Sequence, residues 1–271
     1  MPFSTNKGVK TFYEVAGEGP PMVMLHGSTW DHTLWLYQMA HFSTWFRCIA
    51  PDVRCFGRSD KVTTAFTYQD VVADLISVLE QEDVKGAILL GGSLGSRLTV
   101  SLAHAAPDRI AAAIVYGANT QASPEGKSDA DKRRLERIRR YREGDLGEAY
   151  KWQLTRGLTD DFKASQLGQY VVEMMMEKVP WLNGSSIPNL YEAASKNDLQ
   201  PLLPEIQAPF LVVSGAYDDS LELARDTARR LANARHTVLK DTGQHCGLEN
   251  PAGFDALVIE FLSEQGLMPK A

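Results

Sequence analysis

Three residues far apart in the chain make a set that can break an acyl bond. Gly91-Gly92-Ser93-Leu94-Gly95 fits the pattern Gly-x-Ser-x-Gly, whose glycines let a strand turn sharply into a helix with the serine held at the elbow. A serine hydroxyl is a weak nucleophile near neutral pH, so it needs a base within hydrogen-bond reach and a third group to orient that base. Gly215-Ala216-Tyr217-Asp218-Asp219 supplies carboxylates, and Gly243-Gln244-His245 supplies an imidazole. The oxyanion of a tetrahedral intermediate needs two donors. One is the backbone N–H of Leu94, directly after the serine. The other comes from the loop His26-Gly27-Ser28, where the Ser28 hydroxyl can add a further donor.

Such a set works only if the intervening chain brings its loops together. Pro21–Leu25, Arg47–Pro51, Ala87–Leu90, Ile110–Tyr116, Phe210–Val213 and His236–Leu239 read as short buried strands, after a first alternating strand at Val9–Val15. Thr67 reads as the N-cap of a helix with Asp70 in its first turn, and apolar residues follow at helical spacing from Val71 to Leu79. Ser96–Ala106, Leu221–Leu231 and Phe254–Leu262 read as further helices. Strands alternating with helices imply an α/β fold with a mostly parallel, doubly wound sheet. In open sheets of this kind the loops beyond the carboxyl ends of the strands carry the site. Between 119 and 201 the strand-like runs disappear. This stretch is expected to be a helical cap inserted into a core made of residues 1–118 and 202–271.

With those elements in place the sequence resembles the α/β-hydrolase superfamily, in particular its lidded esterase, lactonase and haloperoxidase-like members. The resemblance lies in Leu25-His26-Gly27-Ser28, Asp52-x-Arg54-x-x-Gly57-x-Ser59, Gly91-x-Ser93-x-Gly95, Gly215-x-x-Asp218 and Gly243-x-His245, followed by Glu249-x-Pro251 and Phe254. These run in family order from residue 22 to about 262, the cap excepted. The resemblance implies Ser93 as nucleophile, His245 as base, Asp218 as orienting acid, and Ser28 and Leu94 as oxyanion donors. Asp219, beside Asp218, is the alternative acid; spacing from Gly215 favours Asp218. Cys55 stands where many relatives have glycine.

Composition bounds the remaining choices. A net charge of −6 argues against a general nucleic-acid partner. No apolar run is long enough for a membrane span or a signal peptide. Cys48, Cys55 and Cys246 show no C-x-x-C spacing and read as reduced cytoplasmic thiols. No cofactor and no metal are expected, the partner is a small-molecule substrate, and a homodimer is left open.

The pocket is expected to be apolar, with Trp30, Met175 and Tyr217 on its walls. The basic run Lys132, Arg133, Arg134, Arg137, Arg139, Arg140 and Arg142 is read as a solvated cap-helix face with i,i+4 ion pairs, anion binding being the alternative.

The expected activity is cofactor-free hydrolysis of an ester or lactone of a small to medium apolar substrate through an acyl-enzyme on Ser93. The alternatives are C–C bond hydrolysis, perhydrolysis or cofactor-free dioxygenation on the same scaffold, and a slow-turnover ligand-binding or signalling protein.

Overall fold

In a computed structural model, which describes residues 2–122 and 129–269, eight strands form one sheet. They are β1 (Phe3–Asn6), β2 (Val9–Ala16), β3 (Pro21–Leu25), β4 (Arg47–Pro51), β5 (Ala87–Gly92), β6 (Ile110–Tyr116), β7 (Phe210–Gly215) and β8 (Ala234–Leu239). Their order across the sheet is β1-β2-β4-β3-β5-β6-β7-β8. β1 and β2 pair antiparallel, as do β2 and β4; the remaining neighbours are parallel. β1 lies outside the strands expected from sequence, because its four residues alternate weakly and gain their place only by pairing with β2.

Period-2 alternation in the central strands feeds two cores. In β3, Val23 and Leu25 join one apolar cluster while Met22 and Met24 join another. Helices cover both faces. They are α1 (Leu36–Phe42), α2 (Tyr68–Gln81) and α3 (Leu94–Ala105) before β6. α2 opens with a reciprocal capping box: Thr67 Oγ1 accepts from the Asp70 N–H, and Asp70 accepts from the Thr67 N–H.

Between β6 and β7 the described chain is helical, with α4 (Asp129–Glu143), α5 (Leu146–Thr155), α6 (Asp160–Ala164), α7 (Gln166–Met176) and α8 (Ser186–Ser195). α6 and α7 part at Ser165, whose hydroxyl caps α7 by accepting from the Gly168 N–H. After this helical stretch come α9 (Leu221–Arg230), α10 (Cys246–Glu249) and α11 (Pro251–Glu264).

The connections reverse direction at β3. From it the chain moves outward to β4, then crosses back to β5 on the other side. The carboxyl ends of β3 and β5 therefore flank the crevice where open α/β sheets place their sites. Leu25 registers with Gly91 across that seam, Gly92 with Tyr116, and Gly215 with Leu239. The loops after β3, β5, β6, β7 and β8 thus end up on one edge of the sheet. Among the described residues no helix is long and apolar enough to cross a membrane.

Candidate active site

Ser93 stands between β5 and α3 with φ 53° and ψ −109°, a conformation that a side chain adopts only under strain. Its N–H donates to the Tyr116 carbonyl at 2.9 Å, so β6 holds the elbow from one side. The glycines hold it from the other: a Cβ on Gly95 would collide with the Leu25 carbonyl, and one on Gly91 with Thr99 Oγ1 and the Gly95 carbonyl. Leu94 is the first residue of α3, and the first N–H groups of a helix have no partner within it.

The loop after β3 lies against this turn. An ideal Cβ on Gly27 would stand 3.4 Å from the Ser93 Cβ. His26 is fully buried and supports the loop from beneath. Its Nδ1 bonds the Gly27 carbonyl at 2.7 Å and its Nε2 accepts from the Val53 N–H at 2.8 Å, which fixes a neutral ring with the proton on Nδ1. Burial keeps its pKa below the usual histidine value. Asp31 pins the far end of the loop by receiving the Lys178 ammonium at 2.7 and 2.6 Å.

The loops after β7 and β8 are bonded to each other. The Tyr217 N–H donates to the Thr242 carbonyl, and Ala216 to Leu239. Asp218 is buried, and its Oδ1 accepts from the Ser220 N–H and hydroxyl at 2.8 and 2.7 Å. Burial raises its pKa above the usual carboxylate value. Asp219 points outward and meets Arg156 at 3.7 Å. His245 is enclosed by Trp30, Tyr116 and the cap residue Gly157, whose added Cβ would lie 2.9 Å from the imidazole Nε2. Nε2 accepts from the Trp30 indole N–H at 3.3 Å, and burial lowers the histidine pKa to about 4. No hydrogen bond joins Ser93 Oγ to His245 among the described residues. His245 Nδ1 and Asp218 Oδ2, one donor and one acceptor, are both buried without a partner among the described residues.

Ser93, Leu94, Ser28 and Asp218 open into one cavity of about 290 Å³, at the small end for ligand pockets. Its walls correct two expectations. Tyr217 lines it, but Trp30 and Met175 do not. Met175 is fully buried in the core on the β3 Met22/Met24 side, and Trp30 is committed to His245. Nor is the lining apolar: Arg97, Arg133, Arg134, Arg137 and Arg156 all reach it.

The basic run of α4 therefore divides. Arg139 and Arg140 pair with Glu136, and Arg142 with Glu192, as an exposed face would. Arg133 and Arg137, four residues apart and so on one face of the helix, turn to the cavity. That spacing was the available signal; the neighbouring Glu136 and Glu143 obscured it. Arg97 was not singled out in the sequence at all. It donates to the carbonyls of Asn119 and Gln121, shortly after β6, and to those of Ala194 and Asn197, at and just beyond the end of α8.

Comparison with known proteins places the chain. A sequence profile described as the Alpha/beta hydrolase family matches residues 22–257. The chain is 28% identical over 243 residues to a non-heme chloroperoxidase of Streptomyces lividans, covering 85% of this chain and 88% of that one. It is 27% identical over 278 residues to a 2-hydroxymuconate semialdehyde hydrolase of Pseudomonas sp. (strain CF600), covering 95% and 92%. The crystal structure of the enol-lactonase from Burkholderia xenovorans LB400 superposes with a TM-score of 0.87 at 24% identity, covering 97% of this chain and all of that one.

Proposed function

This chain belongs to the alpha/beta hydrolase family, and we propose that within it the protein is a serine hydrolase cleaving a small ester or lactone through an acyl-enzyme on Ser93. The observation that carries this reading is the placement of Ser93, held at positive φ and opening into the same cavity as Ser28, Leu94 and Asp218.

In the proposed cycle Ser93 Oγ attacks the substrate carbonyl carbon as His245 Nε2 takes its proton. The Leu94 N–H and the Ser28 hydroxyl hold the resulting oxyanion. Collapse of the intermediate expels the alkoxide, which takes the proton back from His245. Water, deprotonated by the same nitrogen, then releases the acid and restores Ser93.

Asp218 fits the orienting role better than Asp219. It is buried and has a spare Oδ2, whereas Asp219 is exposed beside Arg156. A hydrogen bond from His245 Nδ1 to Asp218 Oδ2 would satisfy both orphaned atoms at once, which buried polar groups strongly favour. The indole N–H of Trp30 must leave Nε2 before that nitrogen can accept from Ser93.

The test is Ser93→Ala. Turnover of short-chain p-nitrophenyl esters should fall by at least about 10³-fold, with circular dichroism and melting temperature unchanged. A variant that retains full activity refutes the mechanism.

A further inference from the structure

The cavity above Ser93 has more cationic wall than acyl transfer at the serine requires. Five arginines line it, against two carboxylates. Asp218 is held by Ser220, and Asp219 meets Arg156 from an exposed position. Arg97 is already bonded to four backbone carbonyls. Two of the remaining guanidiniums are preorganised by aromatic rings. Arg137 stacks over Tyr191 at 4.7 Å, and Arg156 lies 6.0 Å from the ring of Trp152.

Arg137 Nε is buried in this wall without a hydrogen-bond partner among the described residues, and the Tyr191 hydroxyl beneath it is met by Ser28, Tyr141 and Arg137 itself. Buried donors left unsatisfied are costly and mark a place where a ligand supplies the missing acceptor. The cations also oppose one another: burial first, and then the charges of Arg137 and Arg133, make Arg156 easier to deprotonate than an ordinary guanidinium. An anion between them relieves both strains. A guanidinium fork matches the two oxygens of a carboxylate, and such a pair strengthens where water is excluded.

We propose that the wall formed by Arg137 and Arg156, with Arg133 at its rim, recognises a free carboxylate on the substrate. The molecule cleaved at Ser93 is then an ester or lactone with an acidic group at its far end, a half-ester of a short dicarboxylic acid being the simplest form. The cap helices α4 and α5 supply the anion site, while the sheet edge supplies the bond-breaking groups. This assignment rests on the hydrolase reading of Ser93, and it replaces the apolar substrate expected from sequence.

Binding can be read apart from turnover in the Ser93→Ala protein by titrating monomethyl glutarate and dimethyl glutarate under calorimetry or by chemical-shift changes. The acid should bind at least tenfold more tightly than the diester at low ionic strength. The preference should shrink severalfold in 0.5 M NaCl and disappear in Arg137→Gln and Arg156→Gln. Arg156→Lys, which keeps the charge and loses the fork, should keep part of it. In the wild type, the ratio of kcat/KM for mono-4-nitrophenyl glutarate to that for 4-nitrophenyl pentanoate should exceed ten and fall with salt.

Equal binding of acid and diester, or a preference unchanged in both glutamine variants, overturns the proposal. Should a glutamine variant fail to fold, the salt response of the unmutated wall decides the matter: a preference insensitive to salt overturns it. Fluorophosphonate labelling of wild-type Ser93 separates the two readings. Labelling without an acid preference refutes the anion site alone, and an acid preference without labelling refutes the hydrolase alone.

Discussion

At the scale of single residues, the site is governed by what enclosure does to titratable groups. His245 is fully buried, and its pKa drops from the ordinary 6.5 to about 4. Folding therefore disfavours its protonated form. The stability this group contributes is whole above pH 6.5 and is lost as pH falls toward 4, to a total of about 3 kcal/mol. Urea unfolding at pH 7 and pH 5 should show a smaller loss of stability in His245→Gln than in the wild type. The same depression keeps the imidazole neutral well into acid. The midpoint of the acid limb of kcat/KM should lie above pH 4, because the Asp218 carboxylate, once it accepts from Nδ1, favours the imidazolium and offsets part of the depression by burial; a midpoint that stays near 4 would show that Asp218 does not engage the ring. Gly157 bears on the same ring. In Gly157→Ala the new Cβ would meet Nε2 at 2.9 Å, so kcat should fall about tenfold or more with the melting temperature nearly unchanged.

At the scale of elements, α3 does two jobs. Its first turn presents the Leu94 N–H, and Arg97, one turn further on, fastens both ends of the helical stretch between β6 and β7. The Lys178–Asp31 pair is a second fastening, from the end of α7 to the loop after β3. In Arg97→Gln several charge-assisted bonds to backbone carbonyls are lost, at a cost of about 2–4 kcal/mol. Amide exchange should accelerate in α8 and at residues 119–121 while the central strands stay protected. Uniform acceleration across the sheet would show that the cap and core open together.

At the scale of the whole molecule, charge is distributed against its average. The chain carries a net charge of −6, yet its cavity is lined with arginine, so the field in the mouth differs in sign from the mean surface. Composition reports the average and is blind to such placement, so it carries no sign of a cationic cavity. The α/β class, the strand order of the motifs and the elbow were legible, because hydrophobic period and glycine spacing are local properties. The Ser93 and His245 loops were legible for the same reason. The orientation of α4 was not, since a helix with charge on several faces does not declare which one packs inward. Trp30 and Met175 failed similarly: both are large and apolar, and only packing decides whether such a side chain walls a cavity or fills a core.

The hydrogen bond from the Trp30 indole to His245 has an optical consequence. An imidazolium beside an indole quenches its emission, whereas a neutral imidazole quenches little, so the fluorescence of Trp30 is an internal reporter of the protonation state of the base. The wild-type minus Trp30→Phe difference spectrum, followed against pH, would titrate His245 without any substrate. A ligand that pulls the indole off Nε2 would appear as a change in intensity before any bond is broken.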